Sequence, residues 1–272
     1  MSAAALRHLS WSAQTDRGKV RANNEDSFLG LSFDAREIHY LGKTGAAPLE
    51  AADFVFAVSD GMGGARAGEF ASRIAVEKIA RLLPRSFRLG AEGLEGGHAE
   101  ILAELFDQIH RSLWFLGATD EDCAGMETTL TLCWLTPRRM FFAHIGDSRL
   151  YHLPKEGGLR QLSHDDTYVG WLYRNGHINE REARNHPQRT ALQKALGGTH
   201  QFVSPQVGAL LHEPGDRFLL CSDGLPDGLY DYQIEALLRE NPTPDAARRL
   251  VSASVDTSGR DNTTAMVVEM ME

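Results

Sequence analysis

The chain has 272 residues, 42% of them hydrophobic and 24% charged, enough apolar material for a large globular core. Its formal net charge is −9 and its pI is near 5.7, with no block of lysine or arginine, which argues against a nucleic-acid binder. The opening "MSAAALRHLSWSAQ" lacks a long apolar core and no stretch approaches the ~20 apolar residues that span a bilayer, so a cytoplasmic protein with no membrane partner is expected.

Along the chain, the first strand signals are "EDSFLGLSF" at 25–33 and "DFVFAVSD" at 53–60, short runs rich in β-branched and aromatic residues. The "GKT" between them, at 42–44, reads as an exposed loop. Glycines Gly61, Gly63 and Gly64 follow the second run. Then the period changes: Phe70, Ile74, Ile79 and Leu83 mark one helix, and Ile101, Leu105, Ile109, Leu113 and Leu116 a second. A glycine-rich loop around 88–98 joins them. "TLTLCWLT" at 129–136 and "RMFFAHIGD" at 139–147 form a hairpin through the turn "TPRR". In the first of these, Leu130, Leu132 and Trp134 face one way and Thr131 and Cys133 the other, the pattern of a sheet with one well-buried face. Residues 165–189 are polar with helical spacing and read as an inserted flap. "DRFLLCSD" at 216–223 is a strand, "DYQIEALLRE" and "PDAARRLVSASV" are short helices, and "NTTAMVVEM" at 262–270 is a further strand. Strands and helices come in blocks, which predicts an α+β fold of antiparallel sheets with helices outside, in a single domain over 1–272. Cys123, Cys133 and Cys221 form no CxxC pair and read as core residues of a reducing compartment.

Aspartates recur at the ends of these strands. "FVFAVSDG" carries Asp60, "RFLLCSDG" carries Asp223, "AHIGDSR" carries Asp147 and "GRDNTT" carries Asp261, while Glu25 and Asp26 precede a strand in "RANNED". One Asp-Gly after a strand is a turn signal. Its repetition with three more acidic strand ends points instead to a shared oxygen-rich pocket. Such a pocket raises carboxylate pKa values unless cations neutralise it, and Mg²⁺ or Mn²⁺ suit carboxylate, carbonyl and water ligands. A glycine after the aspartate lets its carbonyl approach a metal. Two metals ~3.5–4 Å apart can clamp both oxygens of a phosphoryl displacement. Nucleotide loops fail on spacing: "GMGGARAG" has no lysine for a Walker loop, "GKT" has Glu37 where the first glycine belongs, and a Rossmann pattern from Gly61 meets Arg66.

The ordered motifs "RANNED", "SDGMGGARAGE", "METTLT", "HIGDSRLY", "LSHDDTYV", "HPQRTALQKALGG", "GDRFLLCSDGL" and "GRDNTT", from about Thr15 to Val268, resemble the metal-dependent Ser/Thr protein phosphatases of type 2C in their bacterial form. The resemblance implies a four-layer α-β-β-α sandwich, two antiparallel sheets flanked by helices, with two Mn²⁺ or Mg²⁺ ions in a cleft at one edge and the flap beside it. It implies that Asp60 bridges both metals, that the Gly61 carbonyl binds one, that Asp223 and Asp261 complete the second site, and that Glu25 and Asp26 contact that metal directly or through water. Asp147, with Asp223, matches a weaker third site. Arg21 matches the arginine that grips the substrate phosphate, a task its planar fork suits. On this basis the catalytic set is Arg21, Asp60 and Asp223. A hydroxide bridging the metals would attack phosphorus of phosphoserine or phosphothreonine in line.

The chain departs from the family pattern at Met62, where many eukaryotic relatives carry a proton-donating histidine, at Glu127, where a small glycine is usual, and at Pro226, where Ser or Thr is typical. A thioether cannot donate a proton, so water or another group, with His144, His177 and His186 as candidates, would serve. The implied partners are phosphorylated proteins, namely a cognate Ser/Thr kinase and its substrates. Competing readings are a weakly active or non-catalytic signalling module of the same fold, and a two-metal hydrolase of small phosphate esters.

Overall fold

A computed structural model describes residues 7–34, 36–50, 52–63, 66–91, 97–199 and 203–272; Gly64 and residues 92–96 of the expected glycine-rich loop lie outside them. Strands β1 (His8–Asp16), β2 (Asp26–Phe33), β3 (Ile38–Tyr40), β4 (Thr44–Pro48) and β5 (Asp53–Met62) precede two long helices, α1 (Ala67–Ala91) and α2 (His98–Thr119). Next come β6 (Glu127–Thr128), β7 (Leu130–Leu135), β8 (Arg139–Ile145), β9 (Arg149–Leu153) and β10 (Arg160–Gln161), then two short helices, α3 (Tyr168–Arg174) and α4 (Glu180–Arg184). The remainder comprises β11 (Leu196–Gly197), β12 (Gln206–Leu211), β13 (Arg217–Cys221), α5 (Gly224–Gly228), α6 (Asp231–Glu240), α7 (Thr243–Thr257) and β14 (Thr263–Met271).

Among the described residues all the strand pairs are antiparallel, and most of them join strands that are not consecutive in the chain, β1 with β14 being the most distant. One sheet runs β10-β9-β13-β14-β1-β4; the other is built on β5, which pairs with β2 along one edge and with β7 along the other, while β6 extends the pairing at its end. The period of two then sorts side chains into three apolar layers. Phe54, Phe56 and Val58 of β5 meet Trp11 of β1 and Phe218 of β13 between the sheets. Val55 and Ala57, on the opposite face, pack with Ala71, Ala75 and Ile79 of α1 and Leu105 and Ile109 of α2. Leu219, Ala265 and Val267 turn outward from the first sheet onto Ile234, Leu250 and Val251 of α6 and α7. The result is the α-β-β-α sandwich that the block pattern and the resemblance implied.

Four readings need correction. β7 is buried on both faces rather than one, because it sits in an inner layer: Leu130, Leu132 and Trp134 face the helices, whereas Cys133 and Leu135 face the other sheet. Phe70 is 39% exposed and the small side chains Ala71 and Ala75 carry the helix–sheet contact instead. The helix α1 extends to Ala91, into the expected loop. "GKT" is half loop and half strand, since Thr44 opens β4 and pairs with Ser12.

Candidate metal centre

The strand order brings the acidic ends together. β2 and β5 pair so that Asp26 stands opposite Asp60. In the facing sheet, β13 ends at Cys221 and leads through Ser222 to Asp223, the residue before α5, while Asp261 lies two residues before β14. β8 ends at Ile145 and delivers Asp147. These ends enclose a cleft of about 470 Å³ lined by Arg21, Glu25, Asp60, Gly61, Asp147, Asp223 and Asp261, with Met62 and Thr190 on its wall. Asp26 lies behind it, buried.

Neutral hydrogen bonds fix this geometry. The Asp60 carbonyl accepts from the Thr129 N–H at 2.9 Å and from Thr128 Oγ1 at 2.8 Å, and its N–H donates to Thr129 Oγ1 at 3.0 Å. Gly61 touches the start of α1 so closely that a Cβ there would overlap the Gly68 carbonyl; the glycine is demanded by backbone meeting backbone, not only by access for a ligand. Asn262 braces the 17–25 loop: its Nδ2 donates to the carbonyls of Arg17 and Asn23, each at 2.9 Å, and its Oδ1 accepts from the Glu25 N–H at 2.8 Å. Asp26 Oδ2 accepts from Ser222 Oγ at 2.7 Å and Thr264 Oγ1 at 2.6 Å. Thr128, Thr129, Ser222, Asn262 and Thr264 escaped the reading of the sequence, although each adjoins an acidic motif: "METT", "SDG" and "DNTT" carry their own supports.

Electrostatically the cleft is under-compensated. Burial, then the neighbouring Asp26, Asp223, Asp147 and Asp261, drive the Asp60 carboxyl well above its ordinary range. Burial and Asp147 do the same to Asp223. Burial and Asp165 push Asp147 up to about 7, against the lowering effect of Arg149; burial pushes Asp26 up to about 6, against its two hydroxyl donors. Burial also raises Glu25, partly offset by Arg21. Two buried oxygens, Asp26 Oδ1 and Asp223 Oδ1, have no hydrogen-bond partner among the described residues. A buried carboxylate oxygen without a donor is costly, and a cation removes that cost. Among the described residues no group of three or more Asp, Glu, His or Cys side chains is arranged to hold a metal ion by itself. An ion here would take the rest of its shell from the Gly61 carbonyl and from water, as Mg²⁺ and Mn²⁺ allow. The donor set therefore fits hard divalent ions.

Arg21 lines the cleft through an ion pair, its Nη2 lying 2.7 Å from Asp261 Oδ2, with more than half of its side chain exposed. Among the described residues, no histidine lines the cleft. His144 is fully buried, bonded through Nδ1 to Thr131 Oγ1 at 2.8 Å and through Nε2 to the carbonyls of Gly146 and His164 at 3.1 Å, so it faces no substrate. His177 stacks on Trp171 and His186 lies edge-on to Tyr168, both in the 165–189 segment. Glu127 pairs opposite Met62 in β6 and packs against Gly198, away from the cleft lining. Pro226 falls in the first turn of α5, where a helix has no use for the N–H that proline lacks. The 165–189 segment forms α3 and α4 over a cavity of about 90 Å³ that Asp147 and Asp223 also line.

Known proteins are similar to this chain in sequence and fold. The profile described as Protein phosphatase 2C matches residues 43–268. The serine/threonine protein phosphatase PstP of Mycobacterium tuberculosis is 36% identical over 267 residues, which are 97% of this chain; the chain spans 45% of that protein's length. The serine/threonine phosphatase stp of Listeria monocytogenes is 31% identical over 94% of both chains. The crystal structure of the PstP catalytic domain in complex with two manganese ions superimposes with a TM-score of 0.73 at 33% identity, covering 98% of this chain and all of that one. The chain belongs to the protein phosphatase 2C family.

Proposed function

We propose that the chain is a metal-dependent protein serine/threonine phosphatase that acts on phosphoproteins in the cytoplasm and opposes a Ser/Thr kinase. The observation that carries this reading is the convergence of Glu25, Asp60, Asp147, Asp223 and Asp261 in one cleft, with buried oxygens on Asp26 and Asp223 that lack donors. Two Mn²⁺ or Mg²⁺ ions, when bound, acidify water to a nucleophile and neutralise charge developing on the phosphoryl oxygens. Asp60, the Gly61 carbonyl, Asp223 and Asp261 are the groups that would hold them, with Glu25 and Asp26 supporting and Asp147 serving a third position. Arg21 keeps one nitrogen on Asp261 and offers its remaining N–H groups to the substrate phosphate, so the same residue binds and orients. Its half-exposed position at the cleft allows that reach. Met62 stands in the wall and cannot donate a proton, and no described residue of the lining carries an imidazole, so water in the cleft is the group that would protonate the leaving serine or threonine oxygen. Phosphate release from a phosphothreonine peptide, followed as Mn²⁺ is added and then chelated with EDTA, tests the reading. Release that appears with the metal and vanishes on chelation is expected. No release from folded protein at any Mn²⁺ or Mg²⁺ level would overturn it.

A further inference from the structure

Beside the cleft lies a second concavity of about 340 Å³, opposite in charge. Its walls include Arg184 of α4, Arg189, Asp227 of α5, and Ser258 and Arg260 after α7. It adjoins the cleft directly: Arg189 precedes the cleft residue Thr190, Arg260 precedes Asp261, and Asp227 sits about one helical turn beyond Asp223. Three guanidinium groups meet one carboxylate here, in a chain whose net charge is −9.

The three arginines are not equally committed. Arg184 donates to the Leu229 carbonyl, lies 3.5 Å from Glu180 and sits 3.8 Å from the centre of the Tyr230 ring, which fixes its guanidinium at the groove wall. Arg189 engages Asp227 Oδ1 through Nη1 alone, at 2.6 Å. Arg260 is exposed and has no hydrogen-bond or ion-pair partner among the described residues. Guanidinium forks match phosphate and carboxylate geometry, and several uncommitted donors in one concavity next to a phosphoryl-transfer site favour an anion on the same substrate.

We propose that this groove is a second anion subsite, which takes an acidic side chain of the same polypeptide whose phosphoserine or phosphothreonine enters the cleft. The subsite rests on the phosphatase reading for its occupant. Either a second phosphorylated residue or an aspartate or glutamate supplies the required chemistry. The groove thus selects segments that carry clustered negative charge over those with an isolated phosphorylated residue.

Fluorescence anisotropy of labelled peptides tests this in Mn²⁺, with every phosphothreonine supplied as its non-hydrolysable phosphonate, so that turnover is stopped and the cleft keeps the cations that admit a phosphate. Each peptide carries one phosphothreonine and a second position occupied by phosphothreonine, glutamate or glutamine, in a series that varies the spacing between the two. The wild-type chain is expected to bind an anion-bearing peptide about tenfold more tightly than its glutamine counterpart at the matching spacing, the effect of charge-assisted hydrogen bonds. Preference for phosphothreonine alone identifies a second phosphate; equal preference for glutamate identifies acidic sequence in general. Arg260→Gln should remove most of that preference, and Arg184→Gln combined with it should abolish it. Because the Arg260 side chain makes no hydrogen bond or ion pair among the described residues, its single variant carries the test if the double variant unfolds. No preference at any spacing, or a preference that survives Arg260→Gln in folded protein, overturns the subsite. Phosphate release with Mn²⁺ is measured separately on the corresponding phosphothreonine peptides: its absence would sink the phosphatase reading, while anisotropy judges the groove alone.

Discussion

At the scale of single residues, Asp223 shows how a side chain can oppose stability and serve a site. Its side chain is half-buried with one carboxylate oxygen fully enclosed, crowded by other acids and short of one donor. Asp223→Asn should reduce Mn²⁺-dependent phosphate release by more than about a thousandfold, since a ligand and a charge are lost together. It should also leave the metal-free protein at least as stable as wild type, because a like charge has been taken from the cluster. Turnover assays paired with thermal melts in EDTA check both halves; wild-type rates would refute the assignment. Arg21→Ala should raise KM for a phosphopeptide about tenfold with little change in kcat, the loss of one charge-assisted contact made in both ground and transition states. An unchanged KM would leave Arg21 with only its ion pair to Asp261. The residues named in these tests were legible because acids at strand ends and the ordered motifs mark them. Their supports were not, since a threonine or an asparagine beside an aspartate carries no periodicity and matters only through the bond it makes, as Thr129 does to Asp60 and Asn262 to Glu25.

At the scale of elements, the strands and helices with strong apolar period were readable, and those whose pattern the layers disguise were not. β1 escaped because its serines look solvent-facing. In the fold Ser10 and Ser12 are buried, and Ser12 Oγ accepts the Ala247 N–H of α7 at 3.2 Å. β7 was read with one buried face because a sequence cannot say that helices cover one side and a second sheet the other. In α1, the spacing singled out Phe70, while alanines set the close approach to the sheet. Close approach also governs the junction between β5 and α1, where Gly61 and Gly68 leave each other no room for a side chain. Gly61→Ala should therefore destabilise the fold by about 1–3 kcal/mol or more, the usual range for overpacking against an unyielding neighbour, and weaken Mn²⁺ binding by displacing the adjacent carbonyl. Urea unfolding and a calorimetric Mn²⁺ titration read the two effects. A variant as stable as wild type would show that the junction can open.

For the molecule as a whole, the acidic cleft makes stability depend on pH in a direction that can be worked out. Asp26, Asp60, Asp147 and Asp223 all hold protons more tightly folded than unfolded, so the folded state binds more protons above the ordinary carboxyl range. Stability without metal then falls as pH rises through that window. Buried His144 acts in the opposite sense below its ordinary value of 6.5, so the clean interval lies above it. Between about pH 6.5 and 8.5, the melting temperature in EDTA should decline by several degrees, and the rise produced by Mn²⁺ should grow, because metal replaces protons on the same oxygens. A melting temperature that climbs with pH in EDTA would contradict this.

The pairing of β1 with β14 along nine residues, His8 to Met271 through Asp16 to Thr263, bears on when the cleft comes into being. During synthesis, Arg21, Asp60 and Asp147 leave the ribosome well before Asp261 and before β14, the strand that lies between β1 and β13 in its sheet. A nascent chain stalled ahead of Asp261 holds most of the acids but neither the partner of Arg21 nor the strand that brings the two halves of that sheet into register. A chain cut short before Asp261 lacks one wall of the cleft, and on the proposed reading it is expected to bind no metal there.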